Sequence, residues 1–357
     1  MDALIVPAPV FTVAYNKRDI TAWLTPFLLS VSWTSDLDGD EADSVEISLE
    51  DSDGRWLGGW YPVKGDELVL HIGYMDAPLV PCGAFEIDEI GIDGPPSVVQ
   101  IKALSAGVTK PLRTHEGRAY EGTSLAGIVR DVAGRHGLTV VGDIEDIPIR
   151  RATQMHEQDI KFLKRLAREY GYAFNVRGKL LTFTALDGLR AGKAVKVIHP
   201  GDLTRYAFRD RIKDTPKRAS AKYLDPKTKK LVEFEVNSED DVVPKTSADT
   251  LRLNPRAESA AQARAKSKAA LRRAQDQATV CNCTLPGQPG LVAGVNIELT
   301  GFGQLSGTYQ VARSVHRIGR SDGYVTELEL RRVKAGAAAA TKKMKVATLQ
   351  NGKVVLK

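Results

Sequence analysis

The sequence predicts an α+β fold that is mainly β, with two β-barrel domains and a small α/β insertion domain between them. Three observations support this fold class. Apolar and polar residues alternate along short segments near both ends of the chain, as half-buried strands require. Turn residues such as Gly, Pro, Asn and Asp separate these segments. In the middle of the chain the apolar residues recur every three to four positions instead, which indicates helices.

The first predicted β domain covers residues 1–112. Val45, Ile47 and Leu49 alternate with polar residues, and the turn residues at 51–54 follow directly. Further strands are predicted at 66–74, 83–90 and 97–103, each after a turn that contains Gly or Pro. Strands of this length and spacing are typical of a barrel or sandwich.

The predicted insertion domain covers residues 113–190. Thr123 or Ser124 can cap a first helix, and Gly137 suits the left-handed position that follows a helix end. A second helix is predicted from about Asp159 to Gly171, with Ile160, Leu163, Leu166, Ala167 and Tyr170 on its buried stripe. A hairpin that turns at 177–179 follows this helix.

The second predicted β domain covers residues 191–335. Val295, Ile297 and Leu299 alternate with polar residues, and Cys281 and Cys283 share one face of an earlier strand, where they are interpreted as buried apolar side chains. An Ala-rich helix is predicted over 255–275, with Asn254 as its N-cap and Pro255 in its first turn, packed on the barrel surface.

Residues 336–357 are predicted to form a linker and a basic docking hairpin. An Ala-rich run precedes two short apolar segments, and Asn351-Gly352 between them is a strong hairpin signal. A disordered tail is the alternative interpretation. The candidate partner-binding residues are Lys342, Lys343, Lys345, Asn351, Gly352, Lys353 and Lys357.

The charge pattern argues against a nucleic-acid groove. The formal net charge of the 357-residue chain is +6, but five lysines and no acidic residue fall within 341–357, so the rest of the chain is near +1. A groove for nucleic acid needs basic residues concentrated on one face, and no such block is present in the body of the sequence.

Composition and motif content restrict the other classes to which the protein could belong. The hydrophobic fraction of 43% and the charged fraction of 26% are ordinary for globular domains, and no apolar run reaches the ~20 residues of a membrane helix. Three cysteines suit a reducing compartment. We therefore expect assembly in the cytoplasm, and no sequence motif indicates a catalytic centre, a metal site or a cofactor.

Three sequence blocks together resemble the phage late control D proteins. They are Asp43–Gly54, Gly122–Leu138 and Asp159–Gly171, and the block Leu291–Gly303 with His316 is similar as well. The resemblance extends from about Phe11 to Arg331.

The resemblance implies a non-enzymatic baseplate hub of a contractile tail, similar to the N-terminal part of type VI secretion spike proteins. Its β domains would be tube-like barrels, and three chains would form a ring that joins a hexameric tail tube to a trimeric central spike. Tape measure and baseplate wedge proteins would be further partners, DNA would pass only as cargo, and the protein would reside in a virion or tail-like particle. The alternative is a tail-associated module that binds or degrades the cell wall.

Overall fold

The structure is a computed structural model that describes residues 7–37, 43–105, 114–213, 215–224, 229–237, 249–335, 347–350 and 353–356. The described part of the chain is mainly β. No helix within these ranges is long and apolar enough to cross a bilayer.

The first β region is built from long antiparallel strands. It comprises β1 (Pro9–Tyr15), β2 (Arg18–Asp19), the short helix α1 (Thr21–Leu24), β3 (Leu28–Asp36), β4 (Ser44–Glu50), β5 (Glu67–Tyr74), β6 (Val80–Asp93) and β7 (Val98–Ser105). Val45, Ile47 and Leu49 of β4 are buried, and the residues between them face outward. The predicted alternation is therefore confirmed.

The insertion region places helices on a small sheet. It comprises β8 (His115–Ser124), α2 (Leu125–Arg135), β9 (Thr139–Val141), β10 (Pro148–Gln158), α3 (Asp159–Tyr170), β11 (Tyr172–Arg177), β12 (Leu180–Ala185) and α4 (Leu186–Arg190). The Ser124 hydroxyl accepts a hydrogen bond from the Gly127 N–H at 3.1 Å, which confirms the predicted cap of α2.

The end of α3 is also as predicted, whereas its buried face differs at two residues. Gly171 adopts the left-handed conformation with φ +81°, so it ends the helix at little steric cost. Phe162 is fully buried, although it was not assigned to the stripe, and Ile160 is only half-buried. The stripe is therefore shifted toward Phe162 around the helix.

The second β region is longer and includes one long helix. It comprises β13 (Ala194–Ile198), β14 (Arg205–Asp210), β15 (Arg218–Leu224), β16 (Leu231–Asn237), β17 (Thr250–Leu253), α5 (Ala260–Gln275), β18 (Thr279–Pro286), β19 (Asn296–Leu299), β20 (Gly307–Gly319) and β21 (Gly323–Ala335). Cys281 and Cys283 are both buried, as expected.

The α5 helix departs from its prediction at its start and in its packing. It begins at Ala260, because the Ser259 hydroxyl accepts from the Gln262 N–H at 3.3 Å and so provides the N-cap that was assigned to Asn254. The helix packs against α3 and against the separate sheet of β15, β16 and β17, rather than on a barrel surface. Small alanine side chains allow this close approach. The Cβ of Ala269 lies so near Gly171 that a Cβ atom added to the glycine would be only 3.3 Å away.

Strand pairing does not close either β region into a barrel within the described residues. Apart from β15, β16 and β17, the strands of both regions join one thirteen-stranded sheet, whose main path runs β14-β18-β21-β20-β3-β4-β7-β6-β5-β1-β2. The reason is the length of β20, whose residues 307–310 pair with β19 while residues 313–319 pair with β3. One strand therefore links the two regions.

Three apolar clusters lie under these elements. The first contains Trp33 and other residues of β1 to β7, together with Ile318 and Tyr324 from the second region. The second lies in the insertion region around Phe162, and the third lies between β13 and β21 around Tyr309. The first cluster therefore extends across the junction between the two β regions.

The last described elements form a small hairpin. Strand β22 (Ala347–Gln350) pairs antiparallel with β23 (Lys353–Leu356). The candidate residues Lys342, Lys343, Lys345, Asn351, Gly352 and Lys357 lie outside the described residues, and Lys353 is described only as part of the β23 backbone.

Candidate assembly surface

The junction between the two β regions is a packed joint in which a buried histidine makes several hydrogen bonds. His316 on β20 lies opposite Trp33 on β3, and their rings stack with centroids 5.1 Å apart. The His316 Nε2–H donates to the Leu291 carbonyl at 3.1 Å, and its Nδ1 accepts from the hydroxyls of Tyr324 and Thr326 at 3.1 and 3.2 Å. Burial lowers the pKa of His316 to about 4, so the ring is neutral near pH 7.

A second contact fixes the same joint from the side of β5. The Tyr74 hydroxyl donates to the Gly287 carbonyl at 3.0 Å, and the Tyr74 and Tyr324 rings lie 5.4 Å apart. A Cβ atom at Gly287 would lie 2.2 Å from the Tyr324 ring, so only glycine fits there. The two β regions are thus held in one fixed arrangement.

The insertion region is attached to both β regions by polar contacts to buried carboxylates. Arg177 of the β11–β12 hairpin donates through Nε to the buried Asp43 carboxylate at 2.8 Å, and Asn175 donates to the same carboxylate at 3.3 Å. On the other side, Arg190 pairs with Asp276 at 2.5 Å, with both side chains largely buried. These contacts hold the insertion region against both β regions.

The two β regions repeat one another strand by strand. In the first region the chain order β3, β4, β5, β6, β7 gives the sheet order β3-β4-β7-β6-β5. In the second region the chain order β14, β18, β19, β20, β21 gives the sheet order β14-β18-β21-β20-β19. All of these neighbouring pairs are antiparallel. The same module therefore occurs twice in one chain.

The match between the two modules includes one irregularity in their strand pairing. The β6–β7 pairing shifts register between Ile87 and Glu89, and the β20–β21 pairing shifts between Val311 and Arg313. When these two bulges are aligned, Phe85 corresponds to Tyr309 and both are buried. Because bulges tend to be conserved in related structures, a bulge at the same place in both regions supports their description as one repeated module.

Backbone hydrogen bonds beside the bulges are also shared. The Gly65 N–H donates to the Ile87 carbonyl at 2.7 Å, and the Gly294 N–H donates to the Val311 carbonyl at 2.8 Å. Both glycines have positive φ angles, +91° and +95°. The match ends at the outer strands, because β1 pairs antiparallel with β5 whereas β13 pairs parallel with β19.

The sequence analysis expected two β domains of the same kind from the family resemblance, but it missed the residue pattern that repeats between them. Residues 63–70 read Val-Lys-Gly-Asp-Glu-Leu-Val-Leu, and residues 292–299 read Val-Ala-Gly-Val-Asn-Ile-Glu-Leu. The later strands share a Gly-x-aromatic-x-aliphatic pattern, which begins at Gly83 and at Gly307. Both patterns combine a glycine with strand alternation, so a search for internal similarity would have detected them.

An exposed aromatic surface lies at one end of the first region. Trp23 is 66% exposed and stacks on Trp60 at 5.9 Å. Phe27 and Trp56 contact the same Trp60 ring edge to face, and the Arg55 guanidinium lies 4.1 Å from the Phe27 ring centroid. Exposed apolar patches of this kind are typical of surfaces that contact other proteins.

The insertion region contains a cleft lined by charged side chains. It has a volume of about 380 Å³ and is bordered by Arg118, Tyr120, Asp131 and Arg135. Nearby, the buried Asp159 binds His136 Nε2 at 2.6 Å. Burial raises the pKa of Asp159, but hydrogen bonds from His136 and Gln154 outweigh it and lower the pKa overall.

The Asp159 cluster is explained by the helix that it starts. Asp159 is the first residue of α3, where a negative charge is stabilised by the helix dipole. Its carboxylate is only 2% exposed and accepts from Gln154 at 2.8 Å. The cluster therefore secures α3 to β10 and α2, which is a structural role.

Comparison with known proteins identifies the family. The model of the phage tail baseplate hub (GPD) family matches residues 112–322. A relative from Escherichia phage 186, named a probable baseplate hub protein, is 34% identical over 241 residues, which are 64% of this chain and 60% of the relative. The match thus spans less than two thirds of the length of that relative.

Solved structures show the same fold at low sequence identity. A tail protein from Neisseria meningitidis MC58 superposes with a TM-score of 0.69 at 11% identity, covering 91% of this chain and 97% of that one. A component of the type VI secretion system of E. coli, described as structurally similar to T4 tail proteins, gives a TM-score of 0.57 at 11% identity, covering 90% and 79%. Because the family model matches more than half of the residues, the chain belongs to the phage tail baseplate hub (GPD) family.

Proposed function

We propose that this hub protein acts as a trimeric symmetry adaptor, which joins a hexameric tail tube to a trimeric central spike. The observation that carries the proposal is the repeated β module: one chain offers two equivalent modules, so three chains offer six. A ring of this kind matches sixfold symmetry on one face and threefold symmetry on the other. Each module would be one tube-like segment of the ring wall.

The polar face of the shared sheet would line the axial channel of this ring. On β3, Ser30, Ser32 and Thr34 lie on the face opposite the buried Val31 and Trp33. This polar face continues over the junction, where Arg317 of β20 lies opposite Ser32 and is exposed. A wall of small and charged side chains suits a water-filled channel through which DNA passes as cargo.

Residues 336–357 are proposed to dock on the spike. Their five lysines would meet an acidic surface of that protein, and complementary charge chiefly speeds and orients such encounters. The paired strands β22 and β23 form only a two-stranded sheet, which is marginal in water unless it adds to a neighbouring sheet. The tube, tape measure and wedge proteins complete the proposed set of partners.

The oligomeric state and particle geometry test this function. Light scattering at micromolar concentration, with and without the spike protein, should give a trimer, and negative-stain images should show a ring with six similar lobes. A monomer under both conditions would overturn the proposal. Loss of turbidity of purified peptidoglycan, abolished by changing one carboxylate, would support the wall-degrading alternative instead.

A further inference from the structure

Two strand edges of the shared sheet have no partner among the described residues. Residues 89–93 of β6 pair with β7 on one side only, because β5 pairs with the earlier part of β6, residues 80–86. At one end of the sheet's main path, β14 pairs with β18 and with no other described strand. Unpaired edges attract other strands, so proteins cover them, charge them or use them.

The internal repeat shows what each free edge corresponds to. Aligning the bulges makes residues 89–93 of β6 equivalent to residues 313–317 of β20, which is the segment that pairs with β3. The same alignment makes β14 equivalent to β3, since each strand pairs with the matching strand β18 or β4. The chain therefore contains the β20–β3 junction once and carries both halves of a second one, which have no partner strand within the described ranges.

We propose that β6 of one protomer pairs antiparallel with β14 of the next, in the register of the β20–β3 junction. Within the chain, Arg313 lies opposite Asp36, Val315 opposite Thr34, His316 opposite Trp33 and Arg317 opposite Ser32. By equivalence, Glu89 would lie opposite Arg211 of the partner subunit, Gly91 opposite Arg209, Ile92 opposite Phe208 and Asp93 opposite Ala207. This inference rests on the proposed function and specifies which surfaces build the ring.

The charges of the two edges are complementary. Asp88, Glu89 and Asp93 are exposed along the β6 edge, whereas Arg205 and Arg209 are exposed along β14. In the proposed register Arg209 of the partner subunit lies diagonally between Glu89 and Asp93, at a distance that long side chains reach. Opposite charges at the two edges favour contact between β6 and β14 and disfavour contact between two copies of the same edge.

The proposed pairing also explains why apolar side chains are exposed at the two edges. Ile92 is 42% exposed and Tyr206 is 49% exposed, and both face solvent in the single chain. In the proposed register Ile92 would cover Phe208 of the partner subunit, and Tyr206 of that subunit would lie opposite Gly94. Because β6 and β14 are different surfaces, the contact is head-to-tail and produces a ring when the rotation closes.

Disulfide trapping tests the register directly. Opposed residues on antiparallel strands have Cα atoms about 4.5–5.5 Å apart, which suits a disulfide. The double variant Gly91→Cys with Arg209→Cys should form covalent dimers and trimers on mild oxidation, and trimers should be the largest product. A Cβ at Gly91 meets only the Gln100 side chain, at 3.7 Å or more, so this substitution is tolerated.

The matched control moves one cysteine by a single position. Asp210→Cys combined with Gly91→Cys places the two thiols on opposite faces of the sheet, so it should give little or no cross-link. Each single variant should remain uncross-linked, because Cys82, Cys281 and Cys283 are buried. Equal cross-linking by the two double variants would overturn the register.

A charge reversal provides a second, independent readout. Arg209→Glu should raise the trimer dissociation constant at least tenfold, and adding Glu89→Lys should recover part of that loss. Mass photometry of the same samples separates the two proposals. A trimer that forms no 91–209 cross-link would overturn the strand pairing while leaving the hub function standing, whereas a monomer with no cross-link, alone and with the spike, would overturn both.

Discussion

The imidazole of His316 on β20 stacks on the indole of Trp33 on β3, with 5.1 Å between the ring centroids and 23° between the ring planes. Both side chains are almost completely buried. The pair lies where the two repeated modules meet, and it ties the packing of one module to the hydrogen bonding of the other. A neutral, correctly oriented imidazole is therefore part of the joint.

The joint predicts a loss of stability at moderately low pH. The pKa of His316 is lowered from 6.5 to about 4 by burial, so the unfolded chain binds a proton in this range before the folded protein does. The contribution of His316 to the free energy of unfolding should therefore be complete above pH 6.5. It should be lost as the pH falls to 4, which lowers the free energy of unfolding by about 3 kcal/mol.

Denaturant unfolding between pH 4.5 and 7.5 would measure this dependence. His316→Gln should be less stable near pH 7 but should show a flatter profile between pH 5 and 6.5, where few carboxylates titrate. His115→Gln is the control, because His115 is exposed. An unchanged slope in the His316 variant would contradict the assignment of the pH dependence to this ring.

The repeated glycines predict matched effects of substitution. Gly65 and Gly294 have φ angles of +91° and +95°, which an L side chain rarely adopts. Gly65→Ala and Gly294→Ala should each lower the free energy of unfolding by about 1–2 kcal/mol, because the strain is conformational and each Cβ has room. Thermal or denaturant unfolding would show whether the two losses agree.

Gly290→Ala is the control for this pair. Gly290 has open space around its Cβ position and no positive φ angle. Its substitution should leave stability unchanged or raise it by about 0.4–1 kcal/mol, since alanine restricts the unfolded chain. A large loss in only one of the two repeated positions would argue that the modules are not equivalent in their energetics.

How much the sequence could predict depended on the range of the interaction. The α2 and α3 helices were predicted nearly to the residue, because Ser124, Gly137 and Gly171 act within one helical turn of their own positions. The contact of β20 with β3 could not be predicted in this way. It joins residues 313–319 to residues 30–36, and no local pattern specifies which strand edge a long strand meets.

The α5 start shows how one local signal can displace another. Asn254-Pro255 has the composition of a helix start, yet Ser259 and Gln262 form the cap. The Glu258 carboxylate accepts from the Arg150 and Arg151 N–H groups at 2.7 and 3.1 Å, which fixes the chain just before the helix. This tertiary tether to β10 sets the position at which α5 begins.

The cap assignment can be tested by two alanine substitutions. Ser259→Ala should lower the free energy of unfolding by about 1 kcal/mol, because the Gln262 N–H would lose its acceptor. Asn254→Ala, at an exposed position outside the helix, should change it by less than about 0.5 kcal/mol. If denaturant unfolding showed a larger loss of stability for Asn254→Ala than for Ser259→Ala, Asn254 would be the N-cap instead.

The C-terminal segment predicts a partner effect without a folding effect. Deleting residues 337–357 removes the five lysines and the β22–β23 strands but none of the apolar clusters. Melting temperature and oligomeric state should therefore be unchanged, while spike capture should weaken. Capture by the full chain should also fall as salt is raised from about 50 to 300 mM, because exposed charge pairs are screened.

A charge-neutral variant separates the lysines from the hairpin. Replacing Lys342, Lys343, Lys345, Lys353 and Lys357 with Gln keeps the length and the strand-forming residues while removing the basic charge. If charge drives docking, this variant should capture the spike as weakly as the deletion does, and its capture should not depend on salt. Full capture by the deleted chain would instead show that the segment is a solvated tail, and any spike binding would then have to reside on residues 1–336.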